Sequence, residues 1–531
     1  MQVPRNDRPA ASPPWWHDAV GYQVYVRSFA DSDGDGLGDL AGVRSRLDHL
    51  EWLGVDVVWI TPVYPSPMID MGYDVAHHCA IDPRYGTLDD FDALVTDVHR
   101  RGMRLIVDIV PNHTSNRHEW FQAALADPDD PRHAYYVWAD PAPDGGPPNN
   151  WVSYFGGPAW TLDKTSGRYH LHLFLPEQPD LDWRNPDVRR EFDAILEFWL
   201  DRGVDGFRFD VAQALVKDDR LRSNPQVAPW DPEASRSDQW AAFDHRYDIL
   251  QPETLDLAFR RWRELIGDRD VLLLGETYVP EAGQLARLLP GDGLHAGFWF
   301  GPMHIDWDAA SLRRTLRAPL DAVAGSVSIG WVAASHDEVR PPSRLGGGDR
   351  GRSRSLALST LLLTLPGLPF LYQGEELGLL EGDIGQHPNA DPLASANRDG
   401  CRTPMPWAPG TAFGFSSTSD TWLPDGGRSD TDTVAWQRDH EDSWLHRYRE
   451  LVAVRHQAAD LRGNEIDWID LGADVVAFSR GGLRVMVNAG DQPVSGIVDG
   501  DVVFASSGRA PGPVDDPDLH PDEAVIVRRT L

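Results

Sequence analysis

Short apolar runs rich in β-branched residues alternate along the chain with longer amphipathic segments. In segments such as 40–54 and 89–102, apolar residues recur every three or four positions, which is typical of helices with one buried face. The apolar runs themselves show no alternation, as expected for parallel strands that are buried on both faces. Eight strands alternating with helices predict an α/β fold, a (β/α)8 TIM barrel. The predicted strands span residues 20–29, 55–64, 104–113, 203–210, 271–276, 296–304, 327–337 and 368–376.

Two stretches depart from this pattern. Residues 114–182, after the third predicted strand, are rich in Gly, Pro and Asn and include a pair of short strands around RYHLHLF. They predict a small inserted domain on the third connection, at the end of the barrel where such connections meet. Short alternating strands separated by Gly, Pro and Asp predict a C-terminal antiparallel β-sandwich at 459–531. The barrel would then comprise residues 15–113 and 183–458.

Composition and charge restrict the partners rather than the fold. The chain of 531 residues carries a formal net charge of −33, which disfavours nucleic acid and anionic membrane surfaces as partners. The uncharged run 356–372 is short for a membrane span and is interrupted by Pro366 and Pro369. Two distant cysteines, Cys79 and Cys401, give no disulfide framework, and the N-terminal residues show no apolar secretory segment. We therefore expect a cytoplasmic protein without a membrane partner.

Polar side chains stand at the ends of four predicted strands, where barrel enzymes place their catalytic groups. Each one alone is explained as a helix cap or as a hydrogen-bonded buried histidine. Four such endings in strand order favour one shared site. Carboxylate pairs suit the cleavage of glycosidic bonds, because one can attack the oxocarbenium-like centre while the other protonates the leaving oxygen. The residues are His113 on strand three, Arg208 and Asp210 on strand four, Glu276 on strand five, and His336 and Asp337 on strand seven.

The spacing also suggests different roles for two of the carboxylates. Arg208 lies two residues before Asp210, so both side chains point to the same side of the strand. We expect this cation to keep Asp210 ionised as a nucleophile. Glu276 has no neighbouring cation in the sequence, so we expect its pKa to be higher, as a general acid requires.

Four motifs stand in order on these strands: DIVPNH at 108–113, GFRFD at 206–210, GET at 275–277 and SHD at 335–337. On these motifs the sequence resembles the α-amylase superfamily, glycoside hydrolase family 13, over nearly its whole length. Within that superfamily it is most similar to the exo-acting α-glucosidases and oligo-1,6-glucosidases. This closer resemblance rests on stretches such as SPMIDMGYD at 66–74, YQGEELGL at 372–379 and RDGCRTPMPW at 398–407.

The resemblance implies a catalytic triad in which Asp210 is the nucleophile, Glu276 the acid/base, and Asp337 a stabiliser of the distorted sugar. A pair formed by Asp70 and Arg398 would close the pocket beyond the terminal glucose, which would make the enzyme exo-acting. A glucosyl-enzyme intermediate would be hydrolysed with retention of configuration, or intercepted by another sugar in transglucosylation. By the same resemblance, the remaining substrate-binding residues are Tyr73, His113, Phe155, Phe174, Gln178, Arg208, Val211 and His336.

An acidic loop, DSDGDGLGDLAG at 31–42, is similar to the calcium-binding loop of an EF-hand. Its twelfth position is Gly42 rather than the bidentate Glu of an EF-hand, which disfavours a calcium sensor. An acidic turn without an ion is one alternative. In the resembling enzymes this loop holds a structural cation, and oxygen ligands suit Ca²⁺ or Mg²⁺. The implied ligands are the carboxylates of Asp31, Asp33, Asp35 and Asp39 and the backbone carbonyl of Leu37; no organic cofactor is expected.

Several alternatives stay open within and outside this class. Sucrose isomerases and trehalose synthases of the same superfamily differ from hydrolases mainly in loops that manage water. A trehalose-6-phosphate hydrolase would need a basic entrance, and the chain has only two lysines, Lys164 and Lys217. An endo-amylase should lack the pair of Asp70 and Arg398. A non-catalytic carbohydrate-binding protein or transporter partner is disfavoured because all three implied catalytic carboxylates are kept.

Val211, directly after the implied nucleophile, bears on the linkage that is cleaved. In the resembling group a valine here accompanies a preference for α-1,6 linkages. The alternative is that valine simply suits the end of a barrel strand. We expect small α-glucosides or oligosaccharides with α-1,4 or α-1,6 linkages as substrates, and a monomer or a homodimer as the oligomeric state.

Overall fold

Eight parallel strands close into a barrel in which every strand pairs with its neighbours in chain order. The computed structural model describes residues 14–323, 325, 328–387, 391 and 398–529. The expectation about a secretory segment concerns residues 1–13, which lie outside the described residues. All eight predicted strands are present, so the predicted TIM barrel is confirmed. Barrel strands one to eight are Gly21–Val24, Val57–Ile60, Arg104–Ile109, Gly206–Phe209, Leu272–Gly275, Ala296–Trp299, Ser328–Val332 and Leu368–Tyr372.

The barrel interior is packed with large apolar side chains, among them Trp59, Leu274 and Phe370. Gly21 on strand one makes room for them: a Cβ atom there would lie 2.3 Å from the ring of Phe370. Strand one therefore needs a residue without a side chain at this level, because packed interiors have no spare volume of this size.

Helices surround the barrel and start where capping residues allow. Thr87 and Asp90 form a reciprocal capping box at the start of helix Leu88–Arg100. The apolar run after Leu356 forms the buried end of a helix followed by barrel strand eight, as its composition predicts. The α-helices are Leu40–Ser45, Leu47–Leu53, Leu88–Arg100, Glu119–Ala126, Pro186–Asp201, Arg236–Ala241, Arg260–Ile266, Ala282–Leu288, Ala309–Ala322, Pro341–Arg344, Gly348–Thr364, Val434–Arg438 and Trp444–Gln457. Among the described residues, none of these helices has the length and apolar character that a membrane crossing requires.

The connection after barrel strand three carries its own small structure. It contains helix Glu119–Ala126 and a three-stranded antiparallel sheet of Trp138–Ala139, Tyr169–Leu171 and Trp160–Leu162, in that order. A backbone bridge between His113 and Asp180 ties the end of this segment to the end of strand three. The segment is thereby held at the carboxyl end of the barrel.

The C-terminal part of the chain is antiparallel and joins all its strands in one six-stranded sheet. One face, with Phe478 and Ile526, belongs to the same apolar cluster as the barrel helices. The other face, with Met486 and Val525, packs against loop residues of the same C-terminal part of the chain. The barrel helices thus supply one of the layers that cover the sheet. In order along the sheet, the strands are Asp467–Ile469, Val475–Arg480, Leu483–Asn488, Ala524–Arg528, Asp501–Ala505 and Gly512–Pro513.

Candidate active site

A cavity of about 450 Å³ opens at the carboxyl end of the barrel. The ends of strands four, five and seven supply its three central carboxylates, and the inserted segment supplies aromatic side chains of its wall. Three further predicted residues, Gln178, Arg208 and His336, lie directly behind the wall, where they contact residues that line it. The predicted residues that line the cavity are Asp70, Tyr73, His113, Phe155, Phe174, Asp210, Val211, Glu276, Asp337 and Arg398.

One guanidinium joins the carboxylates at the centre of the site. Nη1 of Arg208 lies 2.7 Å from Oδ1 of Asp108 and 2.6 Å from Oδ1 of Asp210, and Nη2 lies 3.0 Å from Oε1 of Glu276. Arg208 is only 2% exposed. Glu276 has no neighbouring cation in the sequence, but the fold brings Arg208 to it. Strand pairing is the reason, because Arg208 lies opposite Leu274 on strand five, two residues before Glu276.

Burial dominates the ionisation of Asp210. Burial and the charge of Glu276 raise the pKa of Asp210 well above its usual value, and Arg208 only partly opposes them. This direction is opposite to the expectation that Arg208 keeps Asp210 ionised, because burial and Glu276 outweigh the cation. The two carboxyl groups are held together by the guanidinium of Arg208, which pairs with both.

Asp337 has the opposite environment. Burial raises its pKa, but His336, Arg398 and Arg402 outweigh burial and hold the pKa of Asp337 far below its usual value. Nη2 of Arg402 donates to Oδ1 of Asp337 at 2.9 Å, and its Nε donates to the carbonyl of His336 at 2.6 Å. Asp337 therefore stays ionised at neutral pH.

The predicted pair of Asp70 and Arg398 is present at one wall of the cavity. Nη2 of Arg398 lies 3.1 Å from Oδ1 of Asp70, and Nη1 lies 2.9 Å from Oδ1 of Asp337. Asp391, which the sequence did not single out, holds the same guanidinium with its Oδ2 at 2.8 Å from Nε. Gln178 fixes Asp70 from behind by donating to Oδ2 at 3.0 Å. The wall is thus rigid and charged.

Aromatic rings form the floor and one side of the cavity. Tyr73 lies parallel to the ring of His336, with centroids 5.3 Å apart, and its hydroxyl donates to Oδ2 of Asp108 at 3.1 Å. On the inserted segment, Phe155 and Phe174 meet edge to face at 5.4 Å. Flat apolar faces beside carboxylates match the alternating apolar and hydroxyl surfaces of a sugar ring.

Comparison with known proteins agrees with this geometry. The family description "Alpha amylase, catalytic domain" matches residues 23–463. The chain belongs to the alpha-amylase family. A probable alpha-glucosidase of Rhizobium meliloti is 38% identical over 484 residues, which cover 88% of this chain and 87% of that protein. An oligo-1,6-glucosidase of Parageobacillus thermoglucosidasius is 34% identical over 484 residues, 83% of this chain and 84% of that protein.

Among solved structures, an alpha-glucosyl transfer enzyme matches with a TM-score of 0.89 and 35% identity, covering 97% of this chain and all of that one. Together with the relatives, it identifies the protein as a glycoside hydrolase of the alpha-amylase family, within its α-glucosidase and oligo-1,6-glucosidase branch.

In this alpha-amylase family member, Val211 has an unusual backbone. Its φ is +48° and its ψ is +41°, a left-handed conformation that β-branched residues strongly disfavour. Strand four ends before it, at Phe209. The idea that valine simply suits the end of a strand therefore fails. The conformation aims the N–H of Val211 at Oε2 of Glu276, at 2.8 Å, so the residue after Asp210 holds the second carboxylate.

The outer half of the cavity contains residues that sequence reasoning missed. Tyr278 and Glu338 directly follow the GET and SHD motifs, so their place next to the site could have been noticed. The others lie on connections without a regular pattern. The outer lining residues are Tyr154, Gln213, Arg236, Ser237, Trp240, Tyr278, His304 and Glu338.

The acidic loop brings three of its five predicted ligands together. Asp31, Asp33 and Asp39 each offer a carboxylate oxygen within 4.8 Å of the others. Asp35 is outside this group and accepts from the N–H of Leu37 at 2.8 Å. Oxygen-only donors of this kind fit Ca²⁺ or Mg²⁺ in their chemistry.

Proposed function

We propose that the protein is a retaining, exo-acting α-glucosidase that releases terminal α-glucosyl residues from short oligosaccharides. The observation that carries this proposal is that Asp210 and Glu276 both pair with the guanidinium of Arg208, at 2.6 Å and 3.0 Å. Inverting glycosidases need about 6.5–9.5 Å between their carboxyl groups to hold a water, and retaining ones about 5–5.5 Å. Two carboxylates that pair with one guanidinium favour the shorter separation, which supports the retaining arrangement.

In the proposal the two carboxyl groups divide the first chemical step between them. The step needs one carboxylate ionised to attack the anomeric carbon and one protonated to release the leaving oxygen. In the proposal Asp210 attacks and Glu276 gives its proton, which yields a glucosyl ester on Asp210 and a free alcohol. Glu276 then takes a proton from water, which attacks the ester and releases glucose with its original configuration. A sugar in place of water would give transglucosylation.

The charged wall supports exo-action. Arg398 and Asp70 stand at the inner end of the cavity and can bind the hydroxyls of a terminal sugar. Each hydrogen bond to a charged group contributes about 1.5–3 kcal/mol when it is formed. A chain that continued past this sugar would collide with the wall. The proposed substrates are therefore α-1,4- or α-1,6-linked glucosides with a free non-reducing end.

Product analysis tests the proposal. Maltose, isomaltose, sucrose and trehalose are incubated with the protein and followed by NMR; release of α-glucose first supports the proposal. Asp210→Asn should lose nearly all turnover with an unchanged melting temperature, while the exposed Asp442→Asn serves as the matched control. Isomerised disaccharide with little free glucose would instead indicate a sucrose isomerase or trehalose synthase. Initial release of β-glucose would contradict retention.

We also propose that the acidic loop holds a structural Ca²⁺ or Mg²⁺ ion. Three converging carboxylates support this, and one of them, Asp39, is buried. An ion bound only to the folded state stabilises it by mass action. Chelation should release about one equivalent of metal and lower the melting temperature. Metal-free purified protein with a chelator-independent melting temperature would contradict the proposal.

A cytoplasmic location is part of the proposal, since both cysteines are free thiols and Cys401 is buried. A monomer or homodimer stays a prediction, and sedimentation of the purified protein tests it.

A further inference from the structure

Two ionisable side chains that line the cavity, those of Arg236 and Glu338, lack strong partners. Arg236 begins the helix Arg236–Ala241 after strand four, and Glu338 follows Asp337 at the end of strand seven. Among the residues that the structure describes, Arg236 forms no ion pair and no side-chain hydrogen bond. The nearest basic nitrogen to Glu338 among them is Nε2 of His304, at 3.9 Å, and burial lowers the pKa of that imidazole. Both side chains line the cavity.

The other charges of the cavity are paired. Arg208 contacts three carboxylates, and Arg398 contacts three others. Charged groups withdrawn from water are costly unless they are paired, so an unpaired one in a cavity is a candidate ligand-binding group. The Glu338 side chain is only 30% exposed. A carboxyl group at this position is therefore best explained by a bound molecule that forms hydrogen bonds with it.

The groups around Glu338 describe that molecule. Asp337 and Glu338 stand side by side, which disfavours a phosphorylated or otherwise anionic ligand. Burial and the charge of Asp337 raise the pKa of Glu338 to about 7; Arg236, Arg344 and Arg398 oppose them, and these cations disfavour a cationic ligand. A neutral ligand that both donates and accepts hydrogen bonds satisfies a carboxylate and a guanidinium together. Hydroxyl groups have this property.

The rest of the outer lining fits a ring that carries hydroxyls. The hydroxyl of Tyr278 lies 3.2 Å from Nε2 of His304 on the same side as Glu338. On another part of the lining, Trp240 is sandwiched between Tyr154, with centroids 3.8 Å apart, and His245, at 3.4 Å, so its ring is fixed and only its edge is left for the cavity. Polar groups and the edge of a fixed aromatic ring are what a second sugar ring would meet.

We propose that Glu338 and Arg236 determine the leaving group, by binding hydroxyls of a sugar attached to the cleaved glucosyl residue. This inference rests on the proposed function, because it concerns the same cavity. Glucosides of sugars would be preferred to glucosides of phenols or simple alcohols, since an apolar leaving group would desolvate both charges without pairing them.

The test compares two kinds of substrate in the same variants. Maltose and isomaltose release a sugar, whereas 4-nitrophenyl α-glucoside releases a phenol without sugar hydroxyls. Glu338→Leu and Arg236→Leu should each lower kcat/KM for the disaccharides by about 10–100-fold, the range expected when a hydrogen bond to a charged group is lost. For the aryl glucoside the change should stay below about threefold, because that leaving group never formed the bond.

Matched controls and outcomes separate this inference from the proposed function. Glu441→Leu and Arg220→Leu alter exposed residues outside the cavity lining and should leave both substrates unaffected. Equal losses on both substrates, or no loss on either, would overturn the inference while the unaltered protein still hydrolyses them. If the unaltered, folded protein hydrolyses neither, the proposed function fails, and the inference falls with it.

Discussion

Val211 shows how one backbone conformation can join two functional groups. It follows Asp210, and its left-handed φ of +48° directs its N–H to Glu276. A non-glycine residue in such a conformation costs about 1–3 kcal/mol and persists only where the surrounding structure imposes it. The surroundings here are the apolar cluster beneath the inserted segment, which includes Val211 and Trp151. The strain is therefore maintained at the position that couples the two carboxylates.

The strained backbone at Val211 predicts that glycine and alanine substitutions will rank in stability opposite to their usual order. Glycine is normally about 0.5–1 kcal/mol less stable than alanine in regular structure, because it loses more backbone freedom. At Val211 glycine alone relieves the steric conflict, so Val211→Gly should melt at the same or a higher temperature than Val211→Ala. Val188, inside helix Pro186–Asp201, provides the control pair, for which alanine should be the more stable. The same order at both positions, measured by thermal unfolding, would show that the strain is negligible.

The pKa of Glu375 predicts how the free energy of unfolding depends on pH. Burial raises its pKa to about 7, although Ser359 and the N–H of Tyr372 donate to it. The folded protein therefore keeps this proton up to about pH 7, whereas an unfolded chain loses it near pH 4.3. Between these values the folded state binds more protons, so stability falls as pH rises, by about 1.4 kcal/mol per pH unit for one group.

The neutral variant Glu375→Gln removes this contribution. Its melting temperature should fall less between pH 5 and pH 7.5 than that of the unaltered protein. If the melting temperatures of the variant and the unaltered protein fell equally across that range, Glu375 would titrate at its ordinary value in the folded protein.

At the scale of elements, the sequence predicted what depends on local pattern. Continuous apolar runs identified all eight strands, because a strand buried on both faces has no polar alternation. The sequence did not predict that Arg208 pairs with Glu276, since that contact depends on the register between strands four and five. Arg236 was missed for another reason: the connection that carries it has no hydrophobic period, and only folding brings it to Glu338.

Lys217 joins three elements near the site. It lies on the connection after strand four, and its Nζ is 2.7 Å from Oδ1 of Asn112 and 2.7 Å from Oδ2 of Asp180. Asn112 follows strand three, Asp180 belongs to the inserted segment, and His113 of the cavity bridges to Asp180. The buried ammonium therefore ties the inserted segment to the barrel beside the substrate.

Removing the ammonium of Lys217 should destabilise the folded protein, because it leaves a buried carboxylate unpaired. Lys217→Met leaves Asp180 buried without its cation, which costs about 3–5 kcal/mol for such pairs. The double variant Lys217→Met/Asp180→Asn removes the stranded charge and should recover part of the stability lost by Lys217→Met alone. Denaturant unfolding of the single and double variants measures this coupling. Strictly additive losses would show that the pair contributes nothing beyond its separate contacts.

At the scale of the whole molecule, the barrel and the C-terminal sheet share one interior. Phe478 and Ile526 of the sheet pack in the same apolar cluster as Leu312 and Leu316 of helix Ala309–Ala322. Polar contacts frame this interface. Asp522, after the last long loop, accepts from Nε of Arg350 at 2.7 Å, from Nε of Arg354 at 2.8 Å and from Nε1 of Trp307 at 2.7 Å. Two units joined by a continuous core should not unfold independently.

We therefore expect calorimetry to show one unfolding transition that coincides with the loss of activity. Asp522→Asn keeps the shape of the side chain but weakens bonds to two cations, so it should lower that single transition by the equivalent of about 1.5–3 kcal/mol. Asp491→Asn is the matched control, because Asp491 also contacts Arg350 but is 78% exposed, and exposed pairs contribute little. Two separate transitions, of which Asp522→Asn moved only the one without activity, would mean that the C-terminal sheet is an independent unit.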